Sequence, residues 1–143
     1  MAISSFQRHS LTLESGDGAS GKVSAWARAL AERAGLAHAR IDAIDLCIVE
    51  LVTNIVNHSY RGGPGQIRVE LGLGHGAAVL TILDQGPAFD PLSVPAPALA
   101  ESIEDAQVGG FGIHLIRTSA DACEYDRREG RNVFTARFGS PGG

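Results

Sequence analysis

Residues 40–60, RIDAIDLCIVELVTNIVNHSY, form the segment on which the fold prediction chiefly depends. Its apolar side chains recur at helical spacing, so we expect a helix from about Arg40 to Tyr60. The run Gly62-Gly63-Pro64 supplies the stop signal after it. The apolar stripe that would face the core consists of Ile41, Ile44, Ile48, Leu51, Val52 and Ile55.

The opposite side of this helix is polar. At about 100° per residue, Glu50, Asn54, Asn57 and His58 fall together there. A carboxylate and an amide one turn apart face the same space, which suits a hard divalent cation or a base beside one. The alternative is the solvated face of an ordinary amphipathic helix, with His58 only complementing the helix dipole. Other parts of the chain decide between these alternatives.

The order of elements around this helix predicts the fold class. Strand-like and helical patterns follow one another as β-α-α-β-β-loop-α-β-β, and grouped helices among strands indicate an α+β sandwich with helices on one face of a largely antiparallel sheet. The predicted strands are residues 4–13, 66–73, 77–84, 122–128 and 132–138, and the other helices are residues 22–34 and 111–119. Residues 85–110 form a long loop without periodicity, which is typical of a functional lid or of disorder.

Composition excludes several classes of protein. A chain of 143 residues with 44% hydrophobic and 20% charged residues fits one soluble globular domain covering residues 1–143. A net charge of -4 argues against direct binding of nucleic acid. No stretch approaches the ~20 apolar residues of a membrane span. Cys47 and Cys123 are unclustered, which favours reduced thiols and a cytoplasmic location, although a disulfide between them remains open.

Two further motifs carry candidate chemistry. Asp84 ends the apolar run AAVLTIL and is followed by Gln85 and Gly86. A carboxylate there can accept a hydrogen bond from an exocyclic amine such as that of adenine, and a glycine lets a flat ring approach the backbone. The alternative is an ordinary Asp-x-Gly turn. Gly109, Gly110 and Gly112 precede a predicted helix, where converging backbone N–H groups can bind phosphates.

Three segments together resemble one family. ELVTNIVNHSY (50–60) is similar to the N box of the GHKL ATPases, and DQGPAFDP (84–91) and GGFGIHLIR (109–117) are similar to their two glycine boxes. The specific likeness is to the short bacterial anti-sigma-factor serine kinases of the RsbW and SpoIIAB kind. It extends from about residue 8 to residue 138 and implies a Bergerat-type fold, a two-layer sandwich with a mixed, mostly antiparallel sheet.

The resemblance also implies functional residues. Glu50 corresponds to the general base and Asn54 to the Mg²⁺ ligand, while Asp84 would bind the adenine amino group of ATP. Residues 91–108 would form a lid over the phosphates. The remaining nucleotide-binding residues implied by the resemblance are His58, Gly86, Phe89, Gly109, Gly110, Phe111 and Gly112.

Such kinases phosphorylate a serine on a STAS-domain anti-sigma-factor antagonist and also sequester a sigma factor, and the resemblance implies a homodimer. Two departures stand out. The predicted lid contains no Lys or Arg, which predicts slow turnover, and Lys22 stands near the position where family members often carry an arginine.

Rival interpretations differ in class. One is a non-catalytic module that only sequesters a regulatory partner, and the presence of both Glu50 and Asn54 argues against it. A sensor histidine kinase is a weaker alternative, because no phosphoacceptor hairpin precedes the domain. Residues 16–22, GDGASGK, nearly match a P-loop, but Val23 stands where the Mg²⁺-binding hydroxyl belongs.

Overall fold

The computed structural model describes residues 6–93 and 116–139. Two helices come between the first and second strands of a sheet, and residues 116–119 are helical as well. The elements are β1 (Gln7–Glu14), α1 (Ala19–Arg33), α2 (His38–Asn54), a π turn (Ile55–Ser59), β2 (Gln66–Gly74), β3 (Ala77–Asp84), a 3-10 turn (Pro91–Ser93), β4 (Ala122–Arg128) and β5 (Arg131–Phe138).

The sheet has five strands in the order β1-β2-β3-β5-β4, and each neighbouring pair in the described residues is antiparallel. The predicted α+β class is therefore confirmed, with an antiparallel sheet where the Bergerat resemblance implies a mixed one. A P-loop follows a central parallel strand. Residues 16–22 instead follow β1, which lies at the edge of an antiparallel sheet.

Helices α1 and α2 pack on one face of the sheet and enclose the core. The apolar stripe of α2 is buried as predicted, and Val23, Ala27 and Ala31 of α1 are buried beside it. Alternate residues of β2 and β3, such as Val69 and Leu80, complete the core from the sheet side. Period 3.6 in the helices and period 2 in the strands thus meet in one apolar layer.

The end of the long helix differs from the straight helix that the sequence predicts. Regular α-helix stops at Asn54, and the next turn is wider, with the Tyr60 N–H donating to the carbonyl of Ile55 at 2.9 Å. A bond of this i to i−5 type defines a π turn, which in proteins is often found at functional sites. The extra residue in the turn changes which side chains share a face with Asn54.

Two smaller predictions have definite outcomes. Helix α1 begins at Ala19, three residues before the predicted start at 22, and follows Gly18, whose φ of 82° is readily adopted only by glycine. Cys47 is buried and Cys123 is half-buried, and both are free thiols. None of the helices within residues 6–93 and 116–139 is long and apolar enough to cross a membrane.

Candidate functional site

A narrow cavity of about 30 Å³ lies where the end of α2 meets the end of β3. Its polar lining residues come from four different parts of the chain, and its walls are apolar side chains such as Leu51, Ile82 and Phe134. The polar residues are Asn54, Ser59, Asp84, Tyr125 and Asn132. A cavity of this size admits the edge of a planar ring and not a whole nucleotide.

Asp84 is the buried carboxylate of this cavity, with a relative exposure of 5%. Its Oδ1 accepts two hydrogen bonds, from the Gly86 N–H at 2.9 Å and from the Asn132 side-chain amide at 3.0 Å. Its Oδ2 has no hydrogen-bond partner among residues 6–93 and 116–139. One carboxylate oxygen is thus held by the protein and the other remains available as an acceptor.

Asn132, at the start of β5, holds Asp84 in place. The antiparallel register sets the two residues directly opposite each other. The Asn132 Nδ2 donates to Asp84 and to the Pro87 carbonyl (2.9 Å), while its Oδ1 accepts from the Phe89 N–H (3.1 Å) and the Tyr125 hydroxyl (2.5 Å). All four hydrogen-bonding positions of the amide are therefore filled, as a buried polar group requires.

We expect Asn132→Ala to destabilise the fold and weaken the site together. The substitution leaves a buried carboxylate oxygen with one donor fewer and deprives Tyr125 and the Phe89 N–H of their acceptor. An unmet buried group costs about 1–3 kcal/mol, so the free energy of unfolding in urea should fall by about that much. The exposed Asn57→Ala is the matched control, with an expected change within about 0.5 kcal/mol. Equal unfolding free energies for the two variants would contradict this role.

Gly86 lies against the end of the long helix. A Cβ built on it would stand 2.7 Å from the Cβ of Ser59 and 3.0 Å from Oδ1 of Asp84. The first distance is shorter than real Cβ contacts allow, so a side chain is excluded there for steric reasons. The carbonyl of Gly86 accepts a hydrogen bond from the Arg127 guanidinium at 2.7 Å, which holds the turn from the other side.

Tyr60 ties the same turn to the rest of the fold. Its hydroxyl accepts from the Gln85 N–H at 2.7 Å and donates to the Gln66 carbonyl at 2.6 Å. Burial raises the pKa of the Tyr60 phenol, so the group stays protonated and keeps its donor at neutral pH. Gly65 allows the ring to lie there, because a Cβ on it would be 2.3 Å from the ring.

The helix residues predicted for chemistry occupy different environments. Asn54 lines the cavity together with Asp84, whereas Glu50, one turn earlier, is half-buried and has no hydrogen-bond or ion-pair partner in the described part of the chain. His58 is exposed on the π turn and does not line the cavity.

Cys47 lies one turn before Glu50 on the same helix. Burial raises the pKa of the Cys47 thiol to about 12, with smaller contributions from Cys123 and from Glu50 itself. That thiol therefore stays protonated and unreactive.

Of the remaining predicted nucleotide-binding residues, the structure describes only some. Phe89 lines the cavity and is 44% exposed, the one exposed large hydrophobic side chain in residues 6–93 and 116–139. Gly109, Gly110, Phe111 and Gly112, and most of the predicted lid, lie outside the described residues. Arg117, after that stretch, donates to the Leu92 carbonyl before it.

No three His, Cys, Asp or Glu side chains in the described ranges gather as a metal site. Mg²⁺ prefers oxygen ligands and usually keeps several waters, so one protein oxygen together with substrate phosphates can suffice to hold it. Asn54, which lines the cavity, carries an amide oxygen of this kind.

Several residues of the site, among them Ser59, Tyr60, Tyr125 and Asn132, were missed by sequence reasoning. In the sequence, Asn132 is only the first residue of a predicted strand. A regular α-helix would not place Ser59 on the same face as Asn54. Tyr60 belongs to the segment that resembles the N box, but the resemblance implies no role for it. A polar residue at the start of an otherwise apolar strand is the signal that could have singled out Asn132, because such a residue needs a partner once the strand is buried.

Comparison with known proteins assigns the chain to a family. The model of the histidine kinase-like ATPase domain matches residues 16–138. The serine/threonine-protein kinase BtrW of Bordetella bronchiseptica is 40% identical over 93 residues, which are 64% of this chain and 66% of BtrW. The serine-protein kinase RsbW of Bacillus thuringiensis is 28% identical over 113 residues, 76% of this chain and 71% of RsbW.

A solved structure shares the fold. The chain of the RsbU and RsbW domains of Rv1364c from Mycobacterium tuberculosis superposes with a TM-score of 0.66 at 20% identity, covering 92% of this chain and 32% of that one. At this identity the likeness shows the fold alone. The alignment with BtrW reaches slightly less than two thirds of that protein's length. Since the family model covers most of the sequence, the chain belongs to the histidine kinase-like ATPase family and is related to the RsbW-type serine-protein kinases.

Proposed function

We propose that this chain binds ATP with Mg²⁺ and transfers its γ-phosphoryl group to a serine of a protein partner. The supporting observation is that Asn54 of α2 and Asp84 of β3, distant in sequence, line one cavity, with a carboxylate oxygen of Asp84 still open to a donor. The related proteins BtrW and RsbW are named as protein kinases. The proposal covers residues 1–143 as one such domain.

The roles follow from the chemistry of each group. Asp84 accepts a hydrogen bond from the adenine amino group, Gly86 stays the predicted neighbour of the ring, and Phe89 covers the ring from the rim of the cavity. Asn54 would hold Mg²⁺, which supplies positive charge to the phosphates when it is bound. Gly109, Gly110, Phe111 and Gly112 are the proposed phosphate-side residues, and His58 stays a prediction.

Glu50 acts as general base in this proposal. The serine hydroxyl oxygen bonds to the γ-phosphorus, the bond from that phosphorus to the bridging oxygen of ADP breaks, and the hydroxyl proton passes to the Glu50 carboxylate. Phosphoryl transfer needs mainly positioning and charge neutralisation. The absence of a partner for Glu50 among the described residues leaves its carboxylate free to take that proton.

The proposed acceptor is a STAS-domain anti-sigma-factor antagonist, and the unphosphorylated partner would compete with a sigma factor for this chain. Such partner switching takes place in the cytoplasm, where ATP and sigma factors are found, and involves neither nucleic acid nor membrane directly. A homodimer is part of the proposal through the family likeness. The competing proposal is a module that binds nucleotide and sigma factor without catalysis.

A label-transfer experiment separates these two proposals. The full chain is incubated with γ-labelled ATP, Mg²⁺ and the STAS-domain protein recovered with it by pull-down. Label on a serine of the partner supports the kinase. Binding of ADP and a sigma factor without any transfer of label supports the module, and failure to bind ADP at all rules out both.

A further inference from the structure

The π turn alters the face that the long helix presents to the cavity. In a regular α-helix the residue four positions after Asn54 shares its face, which is why His58 was grouped with it. The π turn inserts one residue, so that Ser59, five positions after Asn54, lines the cavity beside it while His58 is exposed. Ser59 is thereby one of the polar residues around Asp84.

The hydroxyl of Ser59 is one of the few polar groups of the cavity that can still form a hydrogen bond with a ligand. Tyr125 donates a hydrogen bond to Asn132, and Asn132 donates one to an oxygen of Asp84. Within residues 6–93 and 116–139, no partner exists for the Ser59 hydroxyl or for the second oxygen of Asp84. Both residues line the same small cavity and both approach Gly86, so the cavity holds a donor and an acceptor that have no hydrogen-bond partner in the described residues.

Ser59 is also held firmly in position. Its Cβ is so close to Gly86 that a methyl group there would approach it to 2.7 Å. The next residue, Tyr60, is fastened through its hydroxyl to the backbone of Gln85 and Gln66. Ser59 and Tyr60 therefore contact consecutive residues of the turn that follows Asp84, which fixes the position of the Ser59 Cβ beside that turn.

We propose that Ser59 is a specificity-determining residue that donates a hydrogen bond to a ring nitrogen of adenine beside Asp84. The inference rests on the proposed nucleotide-binding function and adds a residue to it. Adenine presents an amino group flanked by two acceptor nitrogens, N1 and N7, so an acceptor and a neighbouring donor match its edge. Guanine would place its carbonyl oxygen against the Asp84 carboxylate, which repels it.

The test uses analogues that remove each ring nitrogen in turn. The wild-type chain, Ser59→Ala and Thr53→Ala are titrated calorimetrically with ADP, 1-deaza-ADP and 7-deaza-ADP. Loss of one neutral hydrogen bond corresponds to about 2- to 12-fold in affinity. We expect the wild type to lose about that factor with one of the two analogues. Ser59→Ala should bind ADP more weakly than the wild type by the same factor. Its affinity should not fall further when that ring nitrogen is removed.

Thr53 provides the matched control, because it is an exposed hydroxyl residue on the same helix and should behave as the wild type. Thermal unfolding of each variant checks that it is folded. The inference is overturned if Ser59→Ala binds ADP as tightly as the wild type, or if it binds more weakly yet still discriminates between the analogues as the wild type does. Failure of the wild type to bind ADP would instead overturn the proposed function with it.

Discussion

Glu50→Gln is expected to lower the rate of phosphoryl transfer severely and to leave the affinity for ADP unchanged. A neutral amide cannot take the proton of the attacking serine hydroxyl, and general bases typically contribute about 10²–10⁴-fold to the rate. Because Glu50 has no hydrogen-bond or ion-pair partner in the described residues, its replacement by an isosteric amide removes no structural contact there. Single-turnover transfer of label to the partner serine, compared with calorimetric binding of ADP, measures the two effects separately.

The control for this prediction is Glu32→Gln on α1, which removes the same charge from an exposed helical position outside the cavity. Its transfer rate should match that of the wild type. Transfer by Glu50→Gln at the wild-type rate would exclude Glu50 as the base. A parallel loss of ADP affinity would instead assign Glu50 to binding.

The second large effect is expected at Asp84. In Asp84→Asn the amide oxygen must take the side where Gly86 and Asn132 donate, so its NH₂ group points toward the base. A donor then faces the adenine amino group. Hydrogen bonds to charged groups are worth about 1.5–3 kcal/mol, so ADP affinity should fall by about 10- to 150-fold. Inosine diphosphate, which carries a carbonyl oxygen in place of the amino group, should become the better ligand of the variant.

Asp121→Asn is the matched control, since Asp121 also accepts a backbone N–H, that of Gly139 at 2.5 Å, but does not line the cavity. Calorimetric titration with both nucleotides should show no change of preference there. If Asp84→Asn still preferred ADP to inosine diphosphate by the wild-type factor, Asp84 would not be the group that contacts the exocyclic amine.

Local patterns predicted much of the architecture. The apolar stripe from Ile41 to Ile55 indicated the long helix, and alternation indicated the strands that carry Val69 and Leu80. These features are readable because burial of one face imposes a period of 3.6 or 2 on the chain itself. The same reasoning placed Asp84 at the end of a buried strand, where the structure has it.

Sequence patterns alone thus predict the fold class, the long helix and the two motifs that supply Asn54 and Asp84. The side chains that complete the cavity around them depend on the packing of the folded chain. Asn132 reaches Asp84 only through the register of β3 with β5, which depends on packing between segments far apart in the chain. Ser59 lies in the π turn and lines the cavity together with Asn54, and this change of backbone conformation cannot be predicted from regular helical periodicity.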